Sequence, residues 1–202
     1  MVAGERLVAA DGKEVALFPC DAMYLTQGPH DVLALDFGPR NTSGGYISPM
    51  NCYAPFSGTN VYTGNDHNCI LESDDVVHWP DGRLAKMRVL VAHSWTAPTL
   101  YQHFNQGDLW YQTGDYGLSH GEHLHMECAL AAGSYWRSGG VGLNNGVNMW
   151  ECLFVNDTVI LNGGGYNWRT YDGPTPPPPT SEEEHHFPWY IYARRFRDRA
   201  NV

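Results

Sequence analysis

Short apolar runs, separated by turns rich in Gly, Asn, Asp and Pro, dominate the pattern of this 202-residue chain. Three examples are VLALDF (32–37), MRVLVAH (87–93) and DTVIL (157–161). Apolar runs of this length between turn-forming residues predict β-strands. No stretch of twelve or more residues repeats with a clean helical period. The pattern therefore predicts a mostly β domain built on an antiparallel sheet.

The chain divides into a globular part, a spacer and a tail. Residues 1–173 read as one folded unit, whereas residues 174–184 are rich in Pro and Glu and predict a semi-rigid linker. Residues 185–202 contain four arginines, one aspartate and several aromatic residues, a local charge of +3. We expect this tail to contact an anionic wall polymer or a membrane surface. The alternative is that it docks on its own domain.

Charge and cysteine content narrow the function classes. The net charge of −10 argues against a nucleic-acid partner. No apolar run approaches the ~20 residues that span a bilayer, and the N-terminal residues do not resemble a signal peptide, so we expect synthesis in a bacterial cytoplasm. The five cysteines are scattered without a CxxC spacing. We expect them to be reduced and buried, which argues against a cysteine-ligated zinc site.

Two histidines stand two positions apart in GLSHGEHLHME (117–127). On a β-strand, side chains at i and i+2 leave the same face, so His123 and His125 point into one space while Leu124 points into a core. This is how a strand presents a metal ligand beside a catalytic base.

The same run resembles the motif G-x-S-[ST]-G-x-H-L-H-[FM]-E of the lysostaphin-type (LytM-like) zinc endopeptidases, which cut peptide cross-links in bacterial cell walls. YAPFSGTNVY (53–62) and QGDLWYQTGDYG (106–117) are similar to two further segments of that family and occur in the same order. The resemblance covers about residues 23–130. It implies an antiparallel β fold of the duplicated hybrid motif type, with short helices and long loops, as a catalytic domain over residues 1–173.

The resemblance also implies a zinc site. It gives His125 as one ligand, and the family's earlier His-then-Asp pair matches His30 and Asp36. Five residues separate these two instead of the usual three, and Asp31 is the alternative to His30. Strand alternation supports Asp36, because it faces away from the apolar side chains of VLALDF.

Two catalytic histidines complete the implied site. The resemblance gives His123 as a general base or transition-state stabiliser, and a further family histidine matches His93. Because MRVLVAH places His93 on the same face as its apolar residues, a core histidine is the alternative, and His103 is the competing candidate. We expect His67, in polar surroundings, to lie on the surface.

The implied reaction is zinc-dependent hydrolysis of peptide cross-links in peptidoglycan, with His93 and His123 orienting water and stabilising the tetrahedral intermediate. Residues 153–171 are similar to a stretch that follows the catalytic domain of phage endolysins. A phage lysin, acting in host lysis or from a virion, is therefore the expected role. Alternatives are an inactive wall-binding or virion structural module, and an enzyme that cuts the amide between sugar and stem peptide.

Aromatic residues are dense near the implied site. Either they line a groove for a glycan or peptide stem, or they pack within the sheet. They are Trp95, Tyr101, Trp110, Tyr111 and Tyr116.

Overall fold

One large β-sheet organises the chain. The computed structural model describes residues 1–31, 33–64, 66–138 and 142–175. The strands are β1 (Ala22–His30), β2 (Ala34–Phe37), β3 (Asn51–Tyr53), β4 (Gly58–Thr63), β5 (Cys69–Ser73), β6 (Val77–His78), β7 (Leu84–Ala85), β8 (Met87–Ala92), β9 (His103–Phe104), β10 (Leu109–Gln112), β11 (Leu124–Leu130), β12 (Gly146–Val147) and β13 (Val159–Asn162). Within these ranges the only helix is a 3-10 turn, Met149–Glu151.

Nine of the strands form the large sheet. Eight follow the order β13-β1-β2-β11-β8-β5-β4-β9, and β12 pairs with β11. The strand pairs are antiparallel except at one edge, where β13 runs parallel to β1. Two two-stranded sheets, β10-β3 and β6-β7, complete the described strands. The mostly β, antiparallel prediction is confirmed, and the parallel edge strand is an addition to it.

The main hydrophobic core lies against one face of the central strands. Met87, Val89 and Val91 of β8 enter this core, as do Leu124 and Met126 of β11, and all five are fully buried. Because strand side chains alternate, the intervening residues of β8 and β11 face the other side of the sheet. That opposite face is where the candidate site forms.

The strand containing VLVAH ends earlier than the sequence predicts. β8 stops at Ala92, and His93 has a φ of +79°. Non-glycine residues rarely adopt this left-handed region. Strict alternation would send His93 to the core side with Val91, but the backbone turns there and His93 lines the groove on the opposite side. The core-histidine alternative is therefore wrong.

All five cysteines are buried free thiols: Cys20, Cys52, Cys69, Cys128 and Cys152. Burial raises the pKa of Cys69 to about 12, and it raises the pKa values of the Cys52 and Cys152 thiols well above their ordinary value. Protonated buried thiols are poor metal ligands. The prediction that the cysteines pack as small apolar residues is confirmed.

Most of the predicted linker and the whole predicted tail lie outside the described residues, which end at residue 175. Of the linker, Pro174 is described, and its carbonyl accepts a hydrogen bond from the Ala10 amide at 2.8 Å. Within the described ranges, no helix has both the length and the apolar character needed to cross a bilayer.

Candidate metal centre and groove

Neighbouring strands bring the predicted ligands together. In the register of β2 with β11, Asp36 lies directly opposite His125. His30 is the last residue of β1 and pairs with Ala34 of β2, two residues before Asp36. Residues paired across two strands share a face of the sheet. The three side chains therefore converge on the face opposite the main core.

Three donor atoms form a nearly regular triangle at this point. The Asp36 Oδ1 atom lies 3.3 Å from His30 Nε2 and 3.1 Å from His125 Nδ1. The third side, from His30 Nε2 to His125 Nδ1, measures 3.3 Å. Among the described residues, these three form a group whose donor atoms are close enough to hold one metal ion.

The triangle fits zinc in both size and chemistry. Zinc binds imidazole nitrogen and carboxylate oxygen at about 2.0–2.1 Å in tetrahedral geometry, which separates neighbouring donors by about 3.3–3.4 Å. The observed sides of 3.1–3.3 Å match this spacing. Two histidines and one carboxylate leave the fourth tetrahedral position for water or substrate, as catalytic zinc sites require.

Hydrogen bonds behind the triangle orient both ligand histidines. The Nδ1–H group of His30 donates to the Gly28 carbonyl at 3.0 Å, which leaves Nε2 free to bind a metal. His125 Nε2 lies 3.5 Å from Glu127 Oε1, a long contact that turns Nδ1 towards Asp36. Glu127 is itself fixed, because it is buried and its Oε2 accepts a hydrogen bond from the Leu143 amide at 2.7 Å. Such outer carboxylates and carbonyls set the tautomer of metal-binding imidazoles.

The pKa values of Asp36 and His125 shift in opposite directions. Burial acts to raise the pKa of Asp36, but the hydrogen bond from His125 and the nearby imidazoles hold that pKa below its ordinary value. Burial acts to lower the pKa of His125, yet its contacts with the Asp36 and Glu127 carboxylates raise the pKa to about 9. Without metal, the site therefore stabilises an imidazolium at His125 between two carboxylates.

The two predicted catalytic histidines flank the triangle. His123 Nε2 lies 3.7 Å from Asp36 Oδ1, and the His93 and His123 ring centroids are 4.6 Å apart. His123 Nδ1–H donates to the Gly121 carbonyl at 2.7 Å, and His93 Nδ1–H donates to the Tyr116 carbonyl at 2.9 Å. Both Nε2 atoms are thereby left as proton acceptors. Burial lowers the pKa of His93, which favours its neutral form.

The site opens into a groove with a volume of about 800 Å³. This size suits a peptide or glycan segment. Of the aromatic residues near the motif, Trp95 and Tyr116 are exposed beside His93, whereas Trp110 and Tyr111 are buried in the core. None of these four lines the groove, and sheet packing is the correct interpretation for Trp110 and Tyr111. Trp136 lines it without having been predicted.

The alternative site residues occupy other positions. Asp31 lines the groove but lies outside the donor triangle. His103 is on β9, where its Nε2 pairs with Asp74 Oδ2 at 2.6 Å, and it does not line the groove. Tyr101, exposed on the far side of β4, is also absent from the groove lining.

Two residues near the site were not predicted to act there. Glu127 stands two positions after His125 on β11, so strand alternation alone puts both on one face. Gly114 pairs with His123 through main-chain hydrogen bonds, and a Cβ atom at Gly114 would come within 2.3 Å of the His93 carbonyl oxygen. Alternation could have identified Glu127, whereas the contacts of Gly114 become visible only in three dimensions.

No protein-family model matches the chain. Morphogenesis protein 1 of Bacillus phage B103 is 26% identical over 175 residues, which cover 80% of this chain and 46% of that protein. The chain thus spans about half the length of this curated relative.

Three solved peptidase structures are similar in arrangement. A protein described as a peptidase M23 from Pseudomonas aeruginosa shows 20% identity and a TM-score of 0.41, covering 64% of this chain and 49% of that one. The lysostaphin catalytic domain from Staphylococcus simulans shows 16% identity and a TM-score of 0.38, covering 62% and 85%. A zinc-containing peptidase from Vibrio cholerae shows 15% identity and a TM-score of 0.40, covering 62% and 43%.

Proposed function

We propose that the chain is a zinc-dependent peptidase that hydrolyses peptide cross-links of bacterial peptidoglycan. One observation carries the proposal: His30, Asp36 and His125 form a triangle of zinc-sized donor spacings, open to a groove that also contains two further histidines. A purely structural cluster of this kind has no need of a fourth, open position. The resemblance of the HLH segment to the lysostaphin-type motif supplies the substrate class.

The proposed reaction uses this chain's residues in two groups. His30, Asp36 and His125 would hold the metal through Nε2, Oδ1 and Nδ1. When bound there, Zn²⁺ supplies Lewis-acid chemistry, lowering the pKa of water towards ~7 and polarising a carbonyl oxygen. The groove admits the scissile peptide bond and holds it beside the two remaining histidines.

His93 and His123 are the proton carriers of the proposed mechanism. As the water oxygen attacks the scissile carbonyl carbon, an Nε2 atom of one imidazole accepts the water proton. The resulting imidazolium N–H stabilises the charge on the former carbonyl oxygen and then donates its proton to the departing amine as the C–N bond breaks. The fixed Nδ1–H bonds to Gly121 and Tyr116 keep both Nε2 atoms available for this exchange.

Digestion of purified peptidoglycan tests the proposal. The zinc-loaded protein is expected to release peptides with new amino and carboxyl termini, a chelator to stop the release, and added Zn²⁺ to restore it. Asp36→Asn, which keeps the size of the side chain, should abolish release, whereas His103→Ala, a surface histidine away from the groove, should not. Mass spectrometry of the products identifies the bond. Release that is unaffected by the chelator would contradict the zinc mechanism, and cleavage at the sugar amide would identify the alternative substrate.

A role in a bacteriophage is the second part of the proposal. The likeness to Morphogenesis protein 1 of a Bacillus phage supports either a lysin made in the host cytoplasm or a component of the virion that acts on the wall. The same likeness favours a structural role in phage assembly as a competing function. One measurement separates an enzyme that acts on the wall from a structural module. A purely structural module would not hydrolyse peptidoglycan after zinc loading.

A further inference from the structure

His93 is held in an unusual backbone conformation. Its φ of +79° lies in the left-handed region, and this turn directs its side chain to the groove instead of the core. Non-glycine residues adopt such conformations when surrounding contacts over-determine them, and these residues cluster at functional sites. We therefore expect specific contacts around His93 that stabilise this backbone conformation.

A closed set of hydrogen bonds links His67 to this turn. His67 Nδ1–H donates to the carbonyl of Ser94, the residue after His93, at 2.9 Å. The Ser94 amide donates to the Tyr111 hydroxyl at 3.0 Å, and that hydroxyl donates to the His67 carbonyl at 2.5 Å. His67 itself has a φ of +56°. Two residues with left-handed backbones are thus tied together through one buried tyrosine.

A ring contact joins His67 to the other side of His93. The His67 and Tyr116 rings are stacked, with centroids 4.2 Å apart and planes inclined by 8°. The Tyr116 amide donates to the His93 carbonyl at 3.0 Å, and the Tyr116 carbonyl accepts the His93 Nδ1–H at 2.9 Å. The stack therefore fixes the main-chain segment that sets the tautomer of His93.

We infer that His67 is a positioning residue for His93. It acts through the Ser94 carbonyl and the Tyr116 ring, and it holds the His93 ring with Nδ1 protonated and Nε2 facing the groove. His67 is half-buried, and its ring is both hydrogen-bonded and stacked, unlike that of a fully exposed surface histidine. The inference rests on the proposed function only for the expected effect of His67 on the reaction rate. The tautomer of His93 is measurable without substrate.

Three variants separate the contributions of the side chain from those of the backbone. His67→Ala removes the donor, the stack and the tolerance for a left-handed φ. His67→Gly removes the side chain but adopts that φ without steric strain. His67→Asn tolerates the φ and carries an amide N–H in place of Nδ1–H. His103→Ala, which removes a surface histidine paired with Asp74, is the matched control.

Kinetics on soluble muropeptides form the first measurement, with zinc content and thermal unfolding recorded for each zinc-loaded variant. Because misplacing a catalytic group by about 1 Å can cost about 100-fold in rate, His67→Ala and His67→Gly should lower kcat by about 10- to 100-fold with little change in KM or zinc content. His67→Asn should recover most of kcat, and His103→Ala should match the unmodified protein. A His67→Gly protein with full kcat, or a His67→Asn protein as slow as His67→Ala, would overturn the inference.

Side-chain ¹H–¹⁵N spectra of histidine-labelled, zinc-loaded protein form the second measurement. The His93 signal, assigned by its loss in His93→Gln, should show protonated Nδ1 and bare Nε2 in the unmodified protein and a mixture of tautomers in His67→Gly. Identical His93 shifts in both proteins would overturn the inference even if the protein hydrolyses peptidoglycan. Conversely, the shift change would support it even if hydrolysis failed and the proposed function were withdrawn.

Discussion

Zinc binding should be strongly pH-dependent because one ligand holds a proton in the metal-free protein. His125 lies between the Asp36 and Glu127 carboxylates, with Nδ1 at 3.1 Å from Asp36 Oδ1 and Nε2 at 3.5 Å from Glu127 Oε1. These contacts raise its pKa from 6.5 to about 9. The Nδ1 proton must leave before this nitrogen can donate its lone pair to a metal.

The magnitude follows from that pKa. With a value of about 9, the fraction of His125 that has lost its proton rises about 25-fold between pH ~7 and pH ~8.5, which corresponds to about 2 kcal/mol of zinc-binding free energy. With the ordinary value of 6.5, the same fraction would rise less than about 1.5-fold. Since deprotonation favours the metal, affinity should increase as pH rises and level off above the raised pKa.

Isothermal titration calorimetry of the metal-free protein measures both the zinc affinity and the number of protons released on binding. Titrations in buffers with different ionisation enthalpies at pH ~7.5 should show about one proton per zinc released from His125, in addition to the release from water that binds the metal. Glu127→Gln removes one of the two carboxylates that stabilise the imidazolium, so its proton release should be smaller. Glu122→Gln is the matched control, because Glu122 also lines the groove but bonds to Thr113 and Tyr46. Zinc affinity that stays constant over this range, with almost no proton release, would refute the electrostatic account of His125.

Five further changes test the metal ligands, His123, the main chain beside His93 and the tail. His125→Ala and Asp36→Ala should lose both zinc and hydrolysis, whereas His123→Ala should keep zinc and lose hydrolysis; metal analysis showing full zinc in the His125→Ala protein would contradict the ligand assignment. Gly114→Ala forces a Cβ atom to within 2.3 Å of a carbonyl oxygen and should cost about 1–3 kcal/mol of stability in urea unfolding, together with much of the activity. Unchanged stability of the Gly114→Ala protein would show that the main chain around His93 shifts to accommodate the added Cβ atom. Removing residues 174–202 should weaken sedimentation with cell walls but leave hydrolysis of soluble muropeptides intact, and equal binding would remove the proposed role of the tail.

Strand alternation predicted part of the site from sequence and failed at one residue. It predicted that Leu124 would face the core and that Asp36 would lie on the opposite face from its apolar neighbours. It assigned His93 to the face of Val91, because alternation assumes an extended backbone to the end of the run. The left-handed φ of His93 breaks this assumption, and nothing in the local sequence shows it. For the same reason, the contacts that hold this turn were invisible before the fold was known.

The spacing between His30 and Asp36 is explained by strand pairing and not by distance along the chain. β1 contains two register shifts relative to β2, one between Leu25 and Gln27 and one between Gln27 and His30. Each shift places one extra residue on β1, as a β-bulge does. In a regular strand, Gln27 and His30, three positions apart, would face opposite sides; with the second shift, both line the groove.

The turn that follows His30 connects the end of β1 to the start of β2. Because His30 pairs with Ala34, and Asp36 stands two residues further along the same strand, the ligands are diagonal neighbours on one face. Asp36 is in turn fixed opposite His125 by the pairing of β2 with β11. A turn of different length would change the number of residues between the ligands without changing this diagonal relation. The geometry of the donor triangle is therefore set by the register of three strands, and an unusual His-to-Asp spacing in the sequence does not weaken the assignment of His30.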